Sequence, residues 1–497
     1  MPAVTFARLG AGMPERIGSA RNPERDVLHI STRGDAPALS FTDAMLAGLA
    51  RDGGLYLPEA WPSLDDETIA SLAGRPYGQA AETVLAPLLG PEIAADALRT
   101  ALRDAYAGFR HPATCPLVQI GDNLFVQELF HGPTLAFKDV AMQLLGRLMD
   151  DALAARGRRA TIVGATSGDT GSAAVAAFAG SPRVDLFILY PHGRVSEVQR
   201  RQMTSVAAAN VHTIAIEGTF DDAQAMVKAL FGEARFREEL QLSGINSINW
   251  ARVAAQSVYY VTAAVALGAP ARPVSFAVPT GNFGDILAGY VAKRMGLPVE
   301  RLVIGTNAND ILARTLETGR YEVRGVVPTT SPSMDIQVSS NFERLLFEAS
   351  GRDAGELRRL MAGLAQSGAF TVPDGALAAI RDEFDAVAVP EDEVADEMRR
   401  TWDSAGYLLD PHTAIGVRAA RRRLAEDPAT PVVALATAHP AKFPDAVQAA
   451  TGQHPALPPH LADLMKRPER VSVLPNDLAA VEGFIRREAR AVTGQAA

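Results

Sequence analysis

From residue 161 onward, short apolar runs alternate with stretches whose apolar residues recur every three or four positions. The runs lie at 161–163, 186–190, 211–216, 274–278 and 302–306. A loop of small or polar residues follows each, and then an amphipathic stretch: 171–178, 196–203, 221–235, 285–294 and 310–317. A further apolar run occupies 432–436. Runs this short predict strands buried on both faces, and the period of the intervening stretches predicts helices. Strands that alternate with helices predict parallel sheets covered on both sides, an α/β class. In such sheets ligands bind beyond the carboxyl ends of strands, in the strand-to-helix loops. Upstream, the pattern predicts a strand at 27–31 and helices near 41–50 and 93–107. Residues 343–400 are acidic and alanine-rich with few strand signals, and predict a helical segment attached to the main sheet domain. Residues 1–26 are rich in Arg, Gly and Pro without a period, and read as a tail or loop.

A chain of 497 residues is long enough for two to four domains. Hydrophobic residues at 47% and charged residues at 21% allow a large core and argue against disorder. A net charge of −9 argues against bulk binding of nucleic acid or anionic membranes. The single cysteine, Cys115, excludes a disulfide framework and any cysteine-based zinc or iron–sulfur site, and no metal site is expected. The most apolar stretch, around 258–267, is too short to span a bilayer. The N-terminus shows no charged-then-apolar signal pattern. A soluble, cytoplasmic protein is expected.

Lysine usage narrows the chemistry. Only five of the 48 basic residues are lysines: Lys138, Lys228, Lys293, Lys442 and Lys466. Arginine cannot form an imine and lysine can, so a lysine outside a surface-helix pattern is a candidate for chemistry. Lys138 and Lys442 are such lysines. Lys138 follows the turn His131-Gly132-Pro133-Thr134 and opens an apolar helical stretch, where burial would lower its pKa and leave a nucleophilic amine. A lysine reaching solvent and paired with Asp139 is the plainer alternative.

Three strand-to-helix loops complete the candidate chemistry. Gly281-Asn282-Phe283-Gly284-Asp285 feeds a helix N-terminus, whose free N–H groups and dipole favour an anion such as a phosphate. An ordinary tight turn is the alternative; no Walker A or G-x-G-x-x-G pattern is present. The loop Thr166-Ser167-Gly168-Asp169-Thr170-Gly171-Ser172 gathers more hydroxyls than helix capping by Thr170 or Asp169 needs, and suits a second anion such as a carboxylate. Thr437, at the end of the run 432–436, would point into the same crevice. A buried lysine, a phosphate cup and a strand-end hydroxyl together are what pyridoxal phosphate requires.

These segments resemble threonine synthase, a pyridoxal-phosphate family of the tryptophan-synthase-β-like fold (fold type II). The resemblance rests on His131-Gly132-Pro133-Thr134-Leu135-Ala136-Phe137-Lys138-Asp139, Thr166-Ser167-Gly168-Asp169-Thr170-Gly171 and Pro279-Thr280-Gly281-Asn282-Phe283-Gly284-Asp285. Further segments look like the family's: Asp52-Gly53-Gly54-Leu55-Tyr56-Leu57-Pro58, Asn246-Ser247-Ile248-Asn249-Trp250-Ala251-Arg252 and Thr437-Ala438-His439-Pro440-Ala441-Lys442-Phe443. It implies two parallel-sheet domains with an N-terminal α+β domain: a tail at 1–26, the N-terminal domain at 27–110, a large cofactor domain from 111–140 and 262–497 carrying the helical insertion at about 343–400, and a small sheet domain at 141–261. It implies conversion of O-phospho-L-homoserine and water to L-threonine and phosphate. Lys138 would hold the cofactor as a Schiff base and move protons. Gly281, Asn282, Phe283, Gly284 and Asp285 would cradle its phosphate, with the Asp285 carboxylate capping the helix and pointing away. Thr437 would meet the pyridine nitrogen. Thr166, Ser167, Gly168, Asp169, Thr170, Arg252 and Lys442 would bind substrate, Arg252 and Lys442 near its phosphate. A monomer or weak homodimer is expected. A serine or threonine dehydratase and a non-catalytic relative are the competing readings.

Overall fold

The computed structural model describes residues 27–490; the expected tail at 1–26 lies outside them. Its frame is two sheets. The larger has six strands in the order Phe384–Ala388, Val299–Thr306, Val274–Pro279, Val432–Ala436, Leu124–Glu128 and Leu117–Gly121. The first five are parallel, and the last pairs antiparallel to close one edge. The smaller has five parallel strands in the order Ser472–Pro475, Val211–Glu217, Val184–Pro191, Ala160–Ala165 and Leu242–Ser243. Every residue of Val184–Pro191 and of Val432–Ala436 is buried, which is why these strands read as unbroken apolar runs. The apolar stretch at 258–267 belongs mostly to the helix Trp250–Ala266. That helix is buried nearly all round and packs on helices Tyr77–Leu89, Lys138–Ala155 and Gly284–Arg294. Among the described residues, no helix is long and apolar enough to cross a membrane.

In the N-terminal part, His29–Ser31 pairs antiparallel with Tyr56–Pro58. The expected helices near 41–50 and 93–107 are shorter, Phe41–Ala47 and Ala95–Tyr106; the first stops at Gly48, whose φ of 68° ends the helical path. This part is fastened to the segment after residue 341. Arg33 pairs with Glu343 at 3.0 Å, and the buried Arg344 guanidinium donates to the carbonyls of Tyr56 and Ile248.

Several expectations are corrected. The segment 343–400 is not wholly helical. It contains the strands Ala369–Thr371 and Phe384–Ala388, and the second is an edge of the six-stranded sheet, parallel to Val299–Thr306. Alanine-rich composition favours helix locally, but pairing with a neighbouring strand overrides it. The stretch at 472–475, expected in the large domain, pairs with Val211–Glu217 in the smaller sheet. The helix expected at 221–235 is two, Phe220–Gly232 and Ala234–Glu239. The strands Leu117–Gly121 and Leu124–Glu128 had no counterpart in the sequence pattern.

Candidate functional site

Lys138 is the first residue of the helix Lys138–Ala155 and is 9% exposed. Its turn is held from beneath by Asp139, not by an ion pair between the two. The Asp139 carboxylate accepts from the Thr134 amide and hydroxyl, both at 2.7 Å. Lys138 Nζ instead meets Asp169 Oδ2 at 3.3 Å. Burial lowers the Lys138 pKa; Asp169 opposes this, while Lys442 and Arg252 push the same way as burial.

Asp169 is the hub of the site. Its carboxylate also accepts from Lys442 Nζ at 2.7 Å, Gln199 Nε2 at 2.8 Å and Ser333 Oγ at 3.2 Å. Lys442 is fully buried and donates to the Thr134 carbonyl at 2.9 Å, so its ammonium is already engaged. Neither Asp169 nor Thr170 caps the helix Asp169–Phe178. Thr166 does, its hydroxyl accepting from the Gly168 and Gly171 amides at 2.9 Å each. Gly168 has φ of 143°, and a side chain there would meet Gln199 at 2.5 Å. Among the described residues, the Ser167, Asp169 and Thr170 amides and the Ser167 and Thr170 hydroxyls make no hydrogen bond to a loop or cap partner. They leave free donors in a turn at a helix N-terminus, a setting that favours an anion.

The second such turn is at 281–285. Phe283, φ 62°, is a left-handed non-glycine residue at the N-cap of the helix Gly284–Arg294. Its ring is buried against Phe342 and Phe384, at 5.5 and 5.7 Å between centroids, which offsets the backbone strain. The insertion at 343–400 thus helps set this loop. The Asn282, Phe283 and Gly284 amides donate to no loop or cap acceptor among the described residues. Gly281 lies against the Ser333 carbonyl, where a Cβ would sit at 3.0 Å.

Asp285 departs from expectation. Its carboxylate points away from the loop but does not cap the helix; it accepts from Tyr259 and Tyr260, the latter at 3.0 Å, and Oδ2 has no partner. Burial raises its pKa to about 6, opposed by both tyrosines and Lys138. A carboxyl raised above its unfolded value of about 3.9 favours the fold fully only below that value, and the advantage is lost as pH climbs through 6. Asp285→Asn should therefore gain stability relative to the parent between pH 4 and 8, by on the order of 2–3 kcal/mol. Denaturant titrations of both proteins across that range check it; a pH-independent difference would contradict it.

Thr437 directly follows the strand Val432–Ala436 and is buried; its hydroxyl bonds to no other described residue, while its carbonyl accepts from the Phe137 amide at 2.9 Å. That bond ties the Thr437 loop to the Lys138 turn. Arg252 is 3% exposed and has no acidic partner among the described residues. Only Nη1 is bonded, to the Ile245 carbonyl at 3.1 Å, and Nε has no partner. Burial lowers its pKa to about 10.

Sequence reasoning missed the supports of Asp169. Ser333 lies in the short turn Pro332–Met334, and its amide donates to His412 Nε2 at 3.3 Å. The buried Asp410 carboxylate holds His412 Nδ1 at 2.8 Å. Asp410-Pro411 did carry a legible helix-start signal, but a capping aspartate gives no hint that it also orients an imidazole.

Comparison with known proteins follows the same residues. Three family profiles match: threonine synthase N terminus over residues 28–106, pyridoxal-phosphate dependent enzyme over 113–438, and threonine synthase, C-terminal, over 413–485. The threonine synthase of Pseudomonas aeruginosa is 54% identical over 92% of this chain and 97% of its own. The crystal structure of a PLP-bound threonine synthase from Brucella melitensis is 61% identical, covers 93% of this chain and 100% of its own, and superposes with a TM-score of 0.91. The yeast enzyme's structure gives 39% identity, 94% and 99% coverage and a TM-score of 0.88.

Proposed function

The chain belongs to the threonine synthase family of pyridoxal-phosphate-dependent enzymes, and from that premise we propose that Lys138 carries the cofactor and that the substrate is O-phospho-L-homoserine, hydrolysed and rearranged to L-threonine and phosphate. The residues present fit the cofactor. The partnerless Thr437 hydroxyl, the free amides at 282–284 and the buried Lys138 amine are complementary to a pyridine nitrogen, a phosphate and an aldehyde. Bound there, pyridoxal phosphate supplies the imine and the electron sink that acidify the substrate's Cα–H.

The chain's own groups do the rest. The 281–285 turn receives the cofactor phosphate through backbone amides, with Asp285 turned towards Tyr259 and Tyr260 so that no carboxylate faces the phosphate. A hydroxyl at Thr437 leaves the pyridine nitrogen uncharged. Lys138 Nζ removes the proton at the substrate's Cα and returns protons along the chain, and its lowered pKa keeps the free amine available. Asp169 sits where its carboxylate faces Lys138 Nζ, and Lys442 supplies it with a fixed counter-charge. The amides of Ser167, Asp169 and Thr170 receive the substrate carboxylate.

The observation that carries the substrate is Arg252. A buried guanidinium without a counter-ion is costly unless a ligand brings an anion. The γ-phosphate of the substrate is that anion, and Lys442, bound to Asp169, is not needed for it. The same reading has the enzyme in the cytoplasm as a monomer or weak homodimer, acting on a small molecule without nucleic acid or membrane. Phosphate release tests it. Efficiency on O-phospho-L-homoserine should exceed that on homoserine or serine by at least about a hundredfold, with competitive inhibition by inorganic phosphate. Comparable efficiency on serine without phosphate inhibition would assign a dehydratase instead.

A further inference from the structure

We infer that a second cavity, apart from the residues assigned to cofactor and substrate, is a binding site for a free α-amino acid with an apolar side chain. The cavity has a volume of about 700 Å³, within the range of small-molecule sites. None of the cofactor or substrate candidates lines it. It lies beyond the carboxyl end of the strand Leu124–Glu128, which is in register with Val432–Ala436 of the cofactor crevice. That end of a parallel sheet is where ligands bind.

Its polar groups specify the ligand class. Glu128 lines the cavity with one oxygen accepting from His131 Nε2 and the other from the Tyr407 hydroxyl, both at 2.7 Å. A carboxylate offers about four lone-pair sites, so Glu128 keeps acceptor capacity for an ammonium. Burial would raise its pKa, but His131 and Tyr407 outweigh burial and hold it below the ordinary value, so the group is ionised. Arg110 lines the same cavity, exposed, and its side chain has neither an ion pair nor a hydrogen bond among the described residues. The two do not pair with each other. Burial lowers the pKa of His439 to about 4 and lowers that of His460 as well, and His460 Nε2 is buried without a partner. The remaining wall is apolar, including Phe130, Leu135 and four prolines. One anchored carboxylate, one unengaged guanidinium and a rigid apolar wall match an α-ammonium, an α-carboxylate and an apolar side chain. An apolar acid would leave Glu128 unused, and an apolar amine would leave Arg110 unused.

The cavity is wired to the cofactor site through its wall. The His439 amide donates to the Leu135 carbonyl at 3.0 Å, and Ala136 and Ala438 form a bridge beside that bond. Leu135 stands three residues before Lys138, and His439 two after Thr437. Leu135 is a non-glycine residue at φ 63°, a conformation held by its surroundings. An occupant touching both residues would bias the Lys138 and Thr437 loops together.

Calorimetry on the cofactor-loaded protein tests the inference with L-leucine and N-methyl-L-leucine. The second keeps the charged ammonium and carboxylate but, as a secondary amine, cannot exchange into a neutral imine with the cofactor. Both should bind saturably, and 4-methylpentanoate and isoamylamine, each lacking one charge, at least about tenfold more weakly. Arg110→Ala should weaken N-methyl-L-leucine by about tenfold or more while leaving basal turnover unchanged. Saturating N-methyl-L-leucine should also shift the visible absorbance of the bound cofactor. Failure of N-methyl-L-leucine to bind, or binding unaffected by Arg110→Ala, would each overturn the site. None of these outcomes depends on which substrate is turned over.

Discussion

Replacing Lys138 by alanine should lower kcat by about four orders of magnitude, because on the proposed assignment one change removes both the covalent anchor for the cofactor and the base that moves protons. The expectation rests on position. Of the five lysines, Lys138 alone opens a helix at the end of a tight turn, lies 9% exposed and faces a carboxylate that Lys442, Gln199 and Ser333 hold in place. Lys442 is the only other lysine in the site, and its ammonium is consumed by Asp169 and the Thr134 carbonyl. Borohydride reduction of the parent enzyme followed by peptide mapping should place the pyridoxyl group on Lys138. A label on Lys442, or turnover surviving in Lys138→Ala, would remove the assignment.

The largest effect on stability is expected at Asp169. Asp169→Asn should cost about 3–5 kcal/mol, since it leaves the fully buried Lys442 ammonium and the Lys138 amine without their shared counter-charge. The double variant Asp169→Asn/Lys442→Met should recover much of that loss, because it removes the orphaned charge as well; additive losses in a double-mutant cycle would show the two side chains to be uncoupled. The pH dependence has a definite sign. Burial acts to raise the Asp169 carboxyl, but Lys442, Lys138 and Gln199 prevail and hold it well below the ordinary range. Its stabilisation is therefore present above the unfolded value of about 3.9 and is lost as pH falls from there through the folded value. Asp285, raised by burial, has the opposite sign. Comparing both variants across pH separates them.

The alternation of buried runs with amphipathic stretches sufficed for the α/β class and for most central strands, because a strand covered on both faces has no polar alternation to hide it. The same alternation singled out the loops that the fold brings together as the candidate site, since loops at strand ends inherit their place from the sheet. Glycine and hydroxyl patterns at 281–285 and 166–172 were legible because free amides at a helix start depend on local backbone alone. What the sequence could not decide involves partners distant along the chain. Phe384–Ala388 is a strand only because Val299–Thr306 offers it an edge, and Ser472–Pro475 crosses to the smaller sheet for the same reason. Lys138 finds Asp169 rather than the adjacent Asp139 because Thr134 has already engaged Asp139. Lys442 is a structural cation rather than a free one, and Ser333 is tied through its amide to His412, only because the turn at 332–334, the helix starting at Pro411 and the loop after 436 converge on one carboxylate. Local propensity and spacing are properties of neighbouring residues, whereas pairing a buried charge depends on which segments the fold brings within reach of it.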